Sequence, residues 1–269
     1  MRRLTPLTAF AVLYLVFLYA PIILLPLFAF NDGTVIAFPL QGFTTDWFYQ
    51  LANTPDLIEA TGNSLVIAVS VSILATCLGL FAARAATRHT FPLKAGIMGF
   101  IMLPLVLPEV IVAISLLLTL SQLGLGTSIF TIILGHTLLC MPFAIAILQG
   151  SFQGLDQSLE EAAIDLGETR ASTFRVIILP LVLPGIIASM LICFIISLDE
   201  FIIAFFLSGN EPTLPVYIWS QLRFPGRVPV IMALGTLLVA LSIVLLIVAD
   251  AFRRWGQARM GQSKSGGFL

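Results

Sequence analysis

An all-α membrane protein, with six transmembrane helices and a helical hairpin inserted between spans four and five, is the fold class this sequence predicts. Three observations carry it. Of 269 residues, 59% are hydrophobic and only 10% charged, with a mean hydropathy of +1.06. A soluble domain carries about 25% charged residues to keep its surface wet. The apolar residues gather into runs long enough to cross a hydrocarbon core, which takes about 20 residues of helix. The basic residues, finally, crowd into alternate gaps between those runs.

The six runs are Leu7–Phe30, Ser64–Ala86, Ala95–Ser121, Ser128–Leu148, Pro180–Leu207 and Pro229–Ala251. In lipid a backbone must satisfy its own hydrogen bonds, so each run is expected to be a helix. The alternating strands of a membrane barrel are absent. Met1-Arg2-Arg3 before the first run is reminiscent of a secretory signal. The run is too long for one and no small-residue cleavage site follows, so a retained first span is expected.

Arg2, Arg3, Arg84, Arg88, Lys94, Arg170, Arg175, Arg253, Arg254, Arg259 and Lys264 fall on one side of such a bundle, and only Arg223 and Arg227 on the other. Basic loops stay in the cytoplasm. Both termini are therefore expected in the cytoplasm, and the chain is expected to form one transmembrane domain over 1–269. Its outer loops would be 31–63 and 208–228, and its long inner loop 150–179. The first outer loop carries Asp32, Asp46, Asp56 and Glu59 beside Trp47-Phe48-Tyr49; the second carries Glu211, Trp219 and Arg223. Trp47, Tyr49 and Trp219 suit either an interfacial aromatic belt or docking of a partner protein.

Several chemistries are missing. No G-x-x-x-x-G-K-[ST] phosphate loop occurs, so this chain is not expected to bind ATP that way. No nucleophilic triad or metal-ligand spacing appears, and His89 and His136 lie far apart. Cys77, Cys140 and Cys193 sit inside apolar runs and read as small buried residues. An enzyme, a bound cofactor or metal, and a nucleic-acid partner are not expected.

The inner loop is the informative segment: GLDQSLEEAAIDLGETRASTFRVIILPLVLP, from Gly154 to Pro184. Ser158 to Glu161 matches a capping box, which opens a helix. Leu159, Ala163 and Leu166 fall on one helical face, away from Glu160, Glu161 and Asp165. Gly167 can take the left-handed conformation that ends a helix. A second short helix through Phe174, Val176 and Ile177 leads to Pro180. A helix resting on lipid favours Lys and Arg on its polar face; this one is acidic, so a protein partner fits it better.

Three acids lie within apolar runs: Glu109, Asp199 and Glu200. Buried carboxylates in a membrane are costly and usually face an interior pathway or a partner. They line a route for a cation on one reading. On the other, Glu109 caps a helix broken at Pro108 and one of the adjacent pair is structural, since neighbouring helical residues point about 100° apart. The hexapeptide LPLVLP also occurs twice, at Leu103–Pro108 and Leu179–Pro184.

Glu161-Ala162-Ala163, three residues, Gly167, nine residues, Ile177, one residue and Leu179-Pro180 together resemble the "EAA" loop of ABC importer permeases. Phe30-Asn31, Gln41-Gly42-Phe43-Thr44, Pro108-Glu109 and Leu198-Asp199-Glu200 extend the similarity to the second-permease branch of spermidine/putrescine-type importers. The resemblance implies a permease subunit of a bacterial cytoplasmic (inner) membrane, working by alternating access. Its partners would be two copies of an ATPase, a second homologous permease and a periplasmic or lipid-anchored solute-binding protein. Glu160, Glu161, Ala162, Ala163, Asp165, Leu166, Gly167, Arg170 and Phe174 would then couple to the ATPase. The implied cargo is a polyamine or related small organic cation. Another small organic solute, such as an amino acid or its derivative, and a motor-independent carrier stay open as alternatives.

Overall fold

The computed structural model describes residues 6–259, with side chains described through 244 except at 242. The terminal basic residues Arg2, Arg3 and Lys264 lie outside these. Chain contacts divide the protein into two compact units: residues 56–217, and the stretches before and after them.

In the flanking unit, α1 (Pro6–Ala29) packs against α12 (Val228–Arg259), and α12 also meets α2 (Asp46–Ala52). The segment between α1 and α2 is pinned by side chains. Asn31 is buried; its Oδ1 accepts from the Gln41 N–H at 2.8 Å and its carbonyl accepts from Trp47 Nε1 at 2.8 Å. Phe30 stacks on Phe43 with centroids 5.2 Å apart, and an isolated bridge joins Asn31 to Phe43.

In the unit of residues 56–217 the named elements are all helices. It begins with α3 (Pro55–Arg88), α4 (Lys94–Met102), a 3₁₀ turn at Leu103–Leu105 and α5 (Glu109–Gln122). Next come α6 (Ile129–Gln153), α7 (Ser158–Asp165), α8 (Arg170–Thr173), a π stretch at Phe174–Ile178, α9 (Leu179–Asp199) and α10 (Ile202–Leu207). A last helix, α11 (Leu214–Gln221), leaves the unit. The most extensive packing is α6 on α9. One apolar cluster is built from Ile67, Val71, Ala113, Ile132, Ala144 and Ile203, and another from Leu80, Ala83, Ile145, Leu148, Phe152 and Val182.

Small residues let these helices approach, as they must where lipid removes the hydrophobic drive. A Cβ on Gly79 would stand 2.7 Å from that of Ala144 on α6. Polar pairs cross the same interfaces: Thr76 and Ser189 hydroxyls are 3.0 Å apart.

Among the described residues, four helices are long and apolar enough to span a membrane, or five if the bent pair α4–α5 is one span. The expected third span, Ala95–Ser121, is that pair, and it turns through 104° at the break. The cause is local. Pro104 and Pro108 cannot donate the helical hydrogen bonds of their positions, and the chain reopens as helix at Glu109. The fifth expected span also breaks, between Asp199 and Ile202. The sixth expected span falls within α12, 32 residues long; among the described residues the apolar helix there runs Pro225–Leu241, starting in the 3₁₀ turn Pro225–Arg227, and is shorter than a full span.

Loop expectations shift too. Residues 55–63, expected as outer loop, are the first turns of α3, and the second outer loop contains α11.

Candidate functional site: a loop helix and acids at two helix breaks

The loop between α6 and α9 folds as expected in outline but not in its caps. Ser158 is the first residue of α7 and no side-chain cap from it is made. Instead Asp156 Oδ1 accepts from the Ser158 N–H at 3.0 Å. That donation, together with the Ser158 side chain, holds the Asp156 carboxyl below the ordinary carboxylate range. The capping box of this chain lies elsewhere, at the start of α6, where Ser128 and Thr131 exchange side-chain and backbone hydrogen bonds. A Glu-or-Gln template misses it because threonine stands at the third position.

Gly167 does end the helix in the left-handed region, with φ +93°. Thr169 then opens α8, its Oγ1 accepting from the Ser172 N–H at 3.2 Å. α8 is not a separate helix lying apart from span five: Arg170–Asp199 runs on as one 30-residue helical stretch.

The nine loop residues singled out divide by orientation. Glu161, Ala162, Asp165, Leu166, Gly167 and Arg170 are exposed, with Leu166 87% open. Leu166 follows the last helical residue, so it leaves the face expected to hold Leu159 and Ala163. Ala163, Glu160 and Phe174 turn inward. Glu160 Oε2 receives Arg84 Nη2 at 3.3 Å and Oε1 receives Arg88 Nε at 3.0 Å. The Arg84 guanidinium also lies over the Phe174 ring, 4.5 Å from its centroid. A cavity of about 260 Å³ opens beside these groups, lined by Arg84, Arg88, His89, Glu160, Glu161 and Arg170.

The three intramembrane acids separate in the same way. Glu109 is the first residue of α5 and is exposed; Asp199 is the last of α9 and is exposed. Glu200 is buried. It sits in the break before α10 and its two oxygens accept from the Ile203 and Ala204 N–H groups at 2.9 and 3.1 Å. His136 on α6 places Nε2 3.0 Å from Glu200 Oε2, and its Nδ1 is 2.9 Å from Ser197 Oγ. Nothing in the sequence pairs Glu200 with His136, since 64 residues separate them along the chain.

Of the outer aromatics, Trp47 is half-buried and committed to Asn31. Tyr49 is 74% exposed, and Trp219 lies under the Arg223 guanidinium at 3.9 Å.

The pattern of the binding-protein-dependent transport system inner membrane component family matches residues 75–262, from mid-α3 onward. The chain belongs to that family. Two relatives of this permease cover nearly its full length. The spermidine/putrescine transport system permease protein PotC of Escherichia coli (strain K12) is 33% identical over 239 residues, 88% of this chain and 90% of its own. The putrescine transport system permease protein PotI of the same strain is 37% identical over 237 residues, 85% and 84% of the two chains. Among solved structures, a bacterial ABC transporter that imports the acidic polysaccharide alginate superposes with a TM-score of 0.70 at 18% identity. It covers 92% of this permease and 94% of that chain. At that identity the match speaks for the fold alone.

Proposed function

We propose that this permease forms half of the translocation pathway of an ATP-driven importer of polyamines, by alternating access. The observation that carries the reading is its similarity, across nearly the whole chain, to permeases named for spermidine and putrescine. Exposed Glu109 and Asp199 support it: two carboxylates at helix ends within apolar spans suit a cargo of organic ammonium groups. Both termini lie in the cytoplasm, and the two units work as one permease domain beside a second, homologous one. The exposed face of α7 with Leu166 and Arg170 docks on an ATPase subunit, and Tyr49 and Trp219 lie in loops that meet a solute-binding protein. Glu200 is assigned to structure and not to the route.

The experiment is uptake of labelled spermidine into proteoliposomes holding the complete complex. ATP-dependent uptake, competed by putrescine and reduced at least tenfold by Glu109→Gln or Asp199→Asn, is expected. Uptake without ATP sinks the motor-driven reading; unchanged uptake in both variants sinks the acidic route.

A further inference from the structure

The arginines that end α3 belong to no part of the loop signature, yet they hold its acidic helix. Arg84 and Arg88 are one helical turn apart, so both face the same side of α3. Their guanidinium groups converge on one carboxylate, Arg84 on Oε2 of Glu160 and Arg88 on Oε1. Arg88 Nη2 further donates to the Leu155 carbonyl at 3.0 Å, in the connector between α6 and α7. Arg84, as described, covers Phe174, where the chain enters span five. A single turn of α3 therefore touches the connector before the loop helix, the loop helix itself and the segment after it.

This is not an ordinary surface pair. The side chains of Arg84, Arg88 and Glu160 are 20%, 12% and 17% exposed. Solvated pairs of long side chains contribute almost nothing, but hydrogen bonds to an ionised group that are kept from water are stronger and shorter. Ala163 is buried three residues after Glu160, on the same face of α7. The opposite face, with Glu161, Ala162 and Asp165, is open. Pressure on that open face would pass through Glu160 to the two arginines, and so to α3. The far end of the linkage also has a grip: Thr76 of α3 meets Ser189 of α9, and Gly79 lies against Ala144 of α6.

We propose that Arg84 and Arg88 form a two-arginine clamp on Glu160 that transmits movement of the loop helix to α3. The loop then has two outputs: the covalent one into span five and the ionic one into α3. In this account Glu160 is a positioning residue acting through the arginines, while the residues on the open face make the outside contact. The proposal rests on the motor-driven reading above.

A claim of transmission needs a coupling measurement, since contact alone does not prove it. The complete complex, with its ATPase, is reconstituted as wild type, Glu160→Gln, the pair Arg84→Gln with Arg88→Gln, and all three together. Spermidine uptake and ATP hydrolysis are recorded on the same vesicles. Expected is a fall of about tenfold in spermidine carried per ATP, within the usual range of coupling between sites, with hydrolysis held within about twofold. The triple variant should lose no more than either partner alone, because groups acting as one unit are not additive. An unchanged ratio in Glu160→Gln overturns the clamp, as do additive losses. Failure of Glu160→Gln to assemble overturns it too, since the carboxylate would then build the loop and not transmit through it. Wild-type uptake that ignores ATP is a separate result, and removes the motor-driven reading itself.

Discussion

Replacing Glu200 with alanine separates a structural acid from a transport acid. The carboxylate accepts from two backbone amides at the start of α10 and lies against His136, with the two side chains 5% and 1% exposed. Removing the carboxylate leaves those two buried amides, and the His136 ring beside them, short of a partner, at about 1–3 kcal/mol for each unsatisfied group and about 3–5 kcal/mol together after local relaxation. At roughly 2 °C per kcal/mol for a chain of this size, the unfolding midpoint should drop by about 6–10 °C. The assay is thermal unfolding of the purified complex in detergent, read by size-exclusion chromatography. Glu200→Gln keeps an acceptor for one amide and the same volume, so it should lose about half as much. A Glu200→Ala protein with an unchanged midpoint and abolished uptake would refute the reasoning and return Glu200 to the route.

Other consequences follow from the same geometry. Gly79→Ala pushes a methyl against Ala144 and should cost about 1–3 kcal/mol by overpacking, whereas Gly99→Ala, with open space around it, should leave the midpoint unchanged within about 0.5 kcal/mol. Gly167→Ala forces a side chain into a backbone at φ +93°; a strain of about 1–2 kcal/mol should weaken recovery of the ATPase on affinity purification, and full recovery would argue that the turn is not used. Asp156→Ala removes the acceptor of the Ser158 amide, and that amide should exchange faster than in the wild type. Because the folded-state pKa of Asp156 is depressed, its contribution is complete above the unfolded value near 4 and fades as pH falls through the lower folded value. The wild type should therefore loosen at this amide only below about pH 4.

The membrane class, the helical character of the long runs and the loop helix were legible, because composition and apolar length depend on residues close in the chain. Gly167 was legible for the same reason: a left-handed helix end needs only its own residue. Caps and breaks were less so. Ser158 fitted the template for a capping box, but Asp156, two residues earlier, takes the amide that the serine was expected to leave for itself. The split between Asp199 and Glu200 was foreseen from the helical turn, yet which of them would be buried depended on His136, brought from α6 by packing. The Arg84–Glu160–Arg88 contact joins residues more than seventy positions apart, and no local pattern marks it.

The two copies of LPLVLP show the boundary between the two kinds of information. By itself the sequence determined that both stretches are apolar, membrane-length in context and weakened by prolines. At Leu103–Pro108 the hexapeptide becomes a 3₁₀ turn and a break, and the helices on either side diverge by 104°. At Leu179–Pro184 it is continuous α-helix, with Pro184 inside. The difference lies in what surrounds them. The second copy packs on α6 through Val182, beside the buried Ile178, with Leu148 and Phe152. In the first copy Pro104 is the buried residue; Met98, Ile101 and Met102 before it reach the same cluster, but after Pro108 the chain turns away into α5. Six identical residues state how a helix is weakened; only the neighbours brought by the fold decide whether it bends.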